Sequence, residues 1–293
     1  MFSFKASSSI AILFFLHLSI GNVTAQDDLL DLIEDEVTTE YTTASFKTNR
    51  VINLHSLENT AAGVMDFKIS HRFGQLNGGF YDLFGLDNAT LRLGFDFGLT
   101  DNIVVGVGRS SLEKTYDMFS KIKLLRQSTG KKNMPITLAM FNSVAVQTLR
   151  DSDPDRKTPF TGRLFYTHQL IVGRKFSETF TLQLSPTLVH RNLTQTAAEK
   201  NTVWAVGIGT RYKLSKRVAI NGEYIYVGPD QLRPGFRNSL SIGFDIETGG
   251  HVFQLHFTNS NSMIEKGFIT ETNGNWLDGD IHFGFNISRV FTL

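Results

Sequence analysis

The chain has no cysteine in 293 residues. That excludes a disulfide framework, thiolate metal sites and a lipid-modified N-terminal cysteine. Charged residues make up only 19%, less than an exported water-soluble domain carries on its surface. No field of one sign points to nucleic acid, because 29 basic residues face 28 acidic ones. Long apolar runs are also scarce. The longest, IAILFFLHLSI (Ile10–Ile20), has 11 residues, well short of the roughly 20 that a transmembrane helix needs. It follows a short cationic start with Lys5 and precedes Val23-Thr24-Ala25. This pattern predicts a signal peptide over 1–25, cut before Gln26.

What the chain has in excess is phenylalanine, 25 residues, much of it on alternate positions. Leu91, Leu93, Phe95, Phe97 and Leu99 alternate with Arg92, Gly94, Asp96 and Gly98. The same period of two recurs from Gly63 to the end, and it predicts 12 strands. Several runs reach ten residues, the length a tilted membrane-spanning strand requires, whereas sandwich strands average about 5 or 6. The non-apolar rows mix glycine with single charges and amides, a composition suited to a lumen. Connections after even-numbered strands are short, such as 101–102 and 249–250, and those after odd-numbered strands are mostly long. Outer-membrane barrels alternate in this way. One pair departs from it: the connection near Ser111 is short, and 127–133 is longer than expected.

The expected fold class is therefore all-β, a closed antiparallel transmembrane β-barrel of about 12 strands, with both termini periplasmic. The domain reading is signal peptide 1–25, acidic mobile periplasmic extension 26–45, pre-barrel segment or plug 46–62, and barrel 63–293. Residues 26–40 hold seven acids and no base. The terminal strand carries Phe283, Phe285, Phe291 and Leu293, an alternating apolar row ending at the last residue. Such a row is expected to close the barrel against the first strand and to serve as the signal for the barrel-assembly machinery.

Three stretches carry a resemblance: FKTNRVINLHSLENTAAGVMDFKISHRFG (46–74), YDLFGLDNATLRLGFDFGLTDNIVVGVGRSS (81–111), and KTYD with KIKLLRQ (114–127). Together they resemble an uncharacterised outer-membrane β-barrel family of Bacteroidetes-type bacteria, the domain of unknown function numbered 5777. The resemblance spans roughly residues 42–293. It implies a barrel at the outer membrane and no catalytic residues, because the family has no established activity.

The candidate site is the lumen row: Lys68, Arg72, Arg92, Asp96, Lys121, Lys123, Glu223, Asp245, His256 and His282. With both signs present, the row would either select a small polar solute or close the bore with internal ion pairs. Segment 46–62 offers Arg50, Asn53, His55 and Glu58 to meet those charges. The glycine pairs Gly106/Gly108 and Gly207/Gly209 open no helix and read as lumen glycines, not phosphate-binding loops. Asp151-Ser-Asp153-Pro-Asp155 begins like a calcium loop, but position six is Arg156 and position twelve Gly162. It reads as an external loop whose acids share divalent cations with lipopolysaccharide. His168 and His190 fall on the outward row, where a serine partner would make a lipid-facing hydrolase. Ser120 lies two strands from His168, so no such pair forms.

These observations lead to an outer-membrane barrel of a Gram-negative bacterium, expected to be a narrow channel or transporter for a small solute. The alternative is a non-conducting structural or binding barrel with a self-plugged lumen, and the third reading is a lipid-facing hydrolase. Expected partners are outer-membrane lipid and lipopolysaccharide, the assembly machinery and a small solute. No enzyme activity, nucleic acid, metal or cofactor is expected.

Overall fold

The computed structural model describes residues 37–153, 155, 157–196 and 199–293. The predicted signal peptide and most of the acidic extension lie outside them, as do Pro154 and Arg156. Twelve strands follow in chain order: β1 (Val64–Gln75), β2 (Ala89–Thr100), β3 (Ile103–Ser110), β4 (Thr115–Leu125), β5 (Thr137–Gln147) and β6 (Leu164–Lys175). They continue as β7 (Phe180–Arg191), β8 (Thr202–Lys213), β9 (Val218–Val227), β10 (Leu240–Thr248), β11 (His251–Thr258) and β12 (His282–Thr292). Each strand pairs antiparallel with its sequence neighbours, and β12 pairs with β1, so the ladder closes. Val64 lies opposite Thr292, and the Leu293 amide donates to the Gly63 carbonyl at 2.9 Å.

The two faces of each strand differ as their sequences require. On β2, Leu91, Leu93 and Phe95 remain 36–39% exposed, while Asp96 between their rows is fully buried. Exposed apolar rows recur on most of the strands, a surface a soluble monomer does not keep in water but one that lipid covers. An aromatic pair stands at each end of this band. Trp204 and Tyr226 stand together at the end bearing the long connections, and Phe176 and Phe180 at the end bearing the short turns. Among the described residues no helix is long and apolar enough to cross a membrane. The crossing elements are strands.

The irregular connection has a local explanation. Between β4 and β5, Ser128–Gly130 forms a two-stranded ladder with Thr39–Tyr41, and the Arg126 guanidinium lies 4.6 Å from the Tyr41 ring centre. The extra residues of that turn therefore hold the chain that leads into the barrel.

That chain fills the bore. A small hairpin is pinned by an antiparallel bridge between Arg50 and His55 and by the Val51 amide donating to the Leu54 carbonyl at 2.8 Å. Val51, Leu54 and His55 have no exposed surface. From the end bearing the long connections a second insert enters, carrying the short helix α1 (Glu265–Thr270), with Phe268 and Ile269 buried. Sequence periodicity reads residues 259–278 as an external loop, and the structure corrects this. Met263, Ile264, Phe268 and Ile269 are apolar and fold inward among the strands.

The inner wall is split. Phe119, Phe141, Ile171, Val189, Val203 and Ile225, on β4 to β9, form one apolar cluster with Val51, Leu54, Leu57, Phe268 and Ile269. Glycines admit the hairpin on this side. A Cβ on Gly207 would stand 2.7 Å from a Leu54 methyl, and one on Gly173 would stand 2.8 Å from a Leu57 methyl. Asp66, Lys68, Arg72, Arg92 and Asp245 stand on the opposite wall, while Lys121, Gln183 and Glu223 add single polar groups to β4, β7 and β9. Leu54→Ala is expected to lower stability by about 2–5 kcal/mol through a buried cavity. The urea midpoint of the purified barrel in micelles reads this, and an unchanged midpoint would contradict the packing.

Candidate functional site

The polar half of the bore is built around Glu223 on β9. Its Oε2 accepts the backbone N–H groups of Ile52, Asn53 and Leu54 at 3.1, 2.9 and 2.8 Å. Its Oε1 accepts the Asn53 side-chain amide at 3.0 Å. Successive amides at the hairpin tip thus form a concave anion cradle that a wall carboxylate fills, and each bond is charge-assisted. The outward-pointing carbonyls of the hairpin are satisfied the same way. Gln254 donates to the Val51 carbonyl at 2.6 Å, Asn286 to that of Ile52 at 3.1 Å, and Gln183 to that of His55 at 2.8 Å. Lys121 donates to the Ser56 carbonyl at 3.2 Å and also to that of Glu58. A chain buried without secondary structure needs partners for its backbone, and wall side chains supply them here.

Each lumen residue read from the sequence lies on an inward row. Lys68 pairs with Asp66 at 2.6 Å, and Arg92 pairs with Asp117 through two bonds of 3.0 and 2.5 Å. Asp96 accepts from Asn49 at 2.7 Å. Asp245 accepts from Gln254 at 2.7 Å. Arg72 donates to the Asn53 side-chain oxygen at 2.8 Å. Lys123 is half-buried on the same row as Lys121. His256 is fully buried beside Gly284, and His282 Nδ1 lies 2.8 Å from the Phe73 carbonyl. On the last strand, Phe283 and Phe285 face outward and stack with Phe73 and His71 of β1. Phe291 and Leu293 are exposed at the end bearing the short turns.

Two of the hairpin residues meet groups other than the wall charges they were expected to face. Arg50 pairs with Glu265 of α1 at 3.1 Å, and His55 Nε2 lies 3.6 Å from the same carboxylate. The two inserts therefore touch through an ion pair in mid-bore. Glu58 turns back on its own segment and accepts the Ser45 amide at 2.6 Å. Burial, then the Arg50 charge, pushes His55 well below its ordinary value. Its ring sits 4.5 and 4.1 Å from the Phe119 and Phe141 ring centres. Sequence reasoning missed Glu265 because nothing in a long connection marks it as inward. The apolar pairs Met263-Ile264 and Phe268-Ile269 that flank it were the available signal.

Above α1, among the long connections, lies an open vestibule of about 930 Å³. Glu113 and Glu271 line it, and both accept from the buried Lys266 ammonium, at 2.6 and 3.0 Å. Arg163 and Arg191 on its walls pair with Asp151 and Glu199 at 2.8 and 3.1 Å. On the lipid face, His168 Nδ1 meets Asn142 at 2.7 Å. Asn142 also stands opposite Ser120, so it separates serine from histidine. Among the described residues no group of three or more His, Asp or Glu side chains could hold a metal ion.

A closed, lipid-faced, internally filled barrel of this kind defines a membrane β-barrel protein. The chain belongs to the family described as membrane bound beta barrel domain (DUF5777), whose model matches residues 46–291. No curated protein matches it. Among solved structures, it is similar to the NanC porin at 7% identity, covering 78% of this chain and 99% of that one with a TM-score of 0.50. An outer membrane channel from Pseudomonas putida F1 aligns at 13% identity over 80% and 98% of the two chains, with a TM-score of 0.49. Outer membrane phospholipase A from Escherichia coli aligns at 12% identity over 78% and 90%, with a TM-score of 0.40. The likeness to the NanC porin is one of barrel fold alone.

Burial pushes the Glu265 carboxyl above its ordinary 4.5, and Arg50 pulls the other way. The folded state therefore holds this proton more tightly than the unfolded chain does. Its contribution to stability is largest below pH 4.5 and declines as pH rises through the raised value. In Glu265→Gln that decline is expected to disappear. Urea midpoints measured from pH 4 to pH 8 for both proteins would test this, and parallel pH profiles would contradict it.

Proposed function

We propose that the protein is an outer-membrane channel for a small solute and that the described state is its closed form. The observation that carries this reading is the chemistry of the wall beneath the hairpin. Asp66, Lys68, Arg72, Arg92, Glu223, Asp245 and Gln254 face the bore, and withdrawal of the hairpin would leave a charged surface that water fills readily. The hairpin is held on that side by polar bonds, which water can replace. The porin-like fold of NanC supports the same reading.

In this proposal the N-terminal signal directs export and is removed, and both termini face the periplasm. Phe283, Phe285, Phe291 and Leu293 form the strand that the assembly machinery reads. Outer-membrane lipid covers the apolar band, and lipopolysaccharide lies against the long connections. No residue is assigned a catalytic role, since Asn142 separates Ser120 from His168.

A second reading, a non-conducting binding barrel, is favoured by the apolar side of the same hairpin, where Val51 and Leu54 are packed as deeply as any core residue. A reversible tether separates the two. The Asn53 amide lies 3.2 Å from the Ser241 hydroxyl, so Asn53→Cys with Ser241→Cys in this cysteine-free chain would link hairpin to wall. Discrete single-channel steps are expected in a planar bilayer for the unaltered chain and for the reduced double variant, with silence after oxidation. Silence from all three, with the protein folded and inserted, would rule out conduction and leave the binding barrel.

A further inference from the structure

The hairpin leaves a cavity against β1, β2, β11 and β12. Arg50, Lys68, Arg72 and Arg92 line it together with Ser70 and Asn286, and no carboxylate does. About 20 Å³ is open to the centre of a water-sized particle, enough for a water or two or one monatomic ion.

Three of the four cations have their own acid. Lys68 has Asp66, Arg92 has Asp117 and Arg50 has Glu265. Arg72 differs. Its side chain has 1% exposure, yet its acceptors are the His71 carbonyl and the side-chain oxygens of Asn286 and Asn53, all neutral. Its Nε–H has no acceptor among the described residues. Glu223 does not close the gap, because its oxygens are taken by the hairpin amides and by Asn53, which stands between the two charges. A guanidinium does not shed its charge, and a buried charge without an opposite partner is strongly unfavourable. The cavity is therefore a small, cationic space beside a cation in need of an anion.

We propose that this cavity is a binding site for a halide-sized anion, held by Arg72 with Lys68 and Ser70, which completes the contact between hairpin and wall. The site needs only the filled bore and does not depend on conduction. It follows that the anion locks the hairpin in place.

The test uses the purified full chain in detergent, with chloride as the probe and gluconate, too large for the cavity, as the reference at equal ionic strength. The melting temperature is expected to rise with the logarithm of chloride concentration, as binding to the folded state alone requires, and to stay flat in gluconate. Ser70→Asp places a fixed carboxylate in the cavity. It is expected to raise the chloride-free melting temperature and to abolish the chloride dependence. In crystals grown with bromide, an anomalous peak is expected against the Arg72 guanidinium. Identical melting curves in chloride and gluconate, or a cavity without a bromide peak, would overturn the proposal. Those two readings use the unaltered chain and decide it even where Ser70→Asp does not fold.

Discussion

Everything in this molecule follows from the pairing of β1 with β12. In hydrocarbon an unpaired amide or carbonyl has no water to turn to, so a sheet must have no edge. Ten residue pairs between the first and last strands remove it, from Val64 opposite Thr292 to Gln75 opposite His282. The stacked rings of Phe73 with Phe283 and of His71 with Phe285 run along that seam on the lipid side. The seam joins the first strand of the barrel to the last, so the ladder closes only once β12 is in place.

Closure creates a second problem, which the sequence solves with its own N-terminal segment. Twelve strands enclose more space than their inward side chains fill. The hairpin of residues 50–55 and the insert bearing α1 occupy it from opposite ends. A non-regular chain inside a barrel carries its backbone polar groups with it, and the inward amides of Gln183, Gln254 and Asn286 meet them. Glu223 does the most, gathering three consecutive N–H groups. Apolar packing on the other wall makes the fit specific, and the Arg50–Glu265 pair joins the two inserts.

The architecture was legible in the sequence because a period of two is a local signal. The 12 strands, their lumen and lipid faces, and the alternation of short and long connections all follow from it. Even the irregular turn after β4 was visible as an exception, although its reason, a ladder with Thr39–Tyr41, depends on residues far away in the chain. The contents of the bore were much less legible. Alternation says that Phe119, Phe141 and Ile171 point inward but not what they meet, and a polar lumen was expected where half the wall is apolar. The mid-bore ion pair joins residues 215 positions apart, and no local pattern encodes such a contact. Glu58 had the right type to meet a lumen cation but turns to its own backbone, a choice set by the path of the chain.

The central claim is that residues 46–62 lie inside the bore of the membrane-inserted protein. Its most direct test is the reactivity of a thiol placed inside that segment. Ser56 has no exposed surface, whereas Ser152 is exposed in one of the long connections. In this cysteine-free background, a bulky water-soluble maleimide should label Ser152→Cys rapidly in the inserted barrel. It should leave Ser56→Cys unlabelled until the protein is unfolded. Equal labelling of the two variants in the folded barrel would contradict the account.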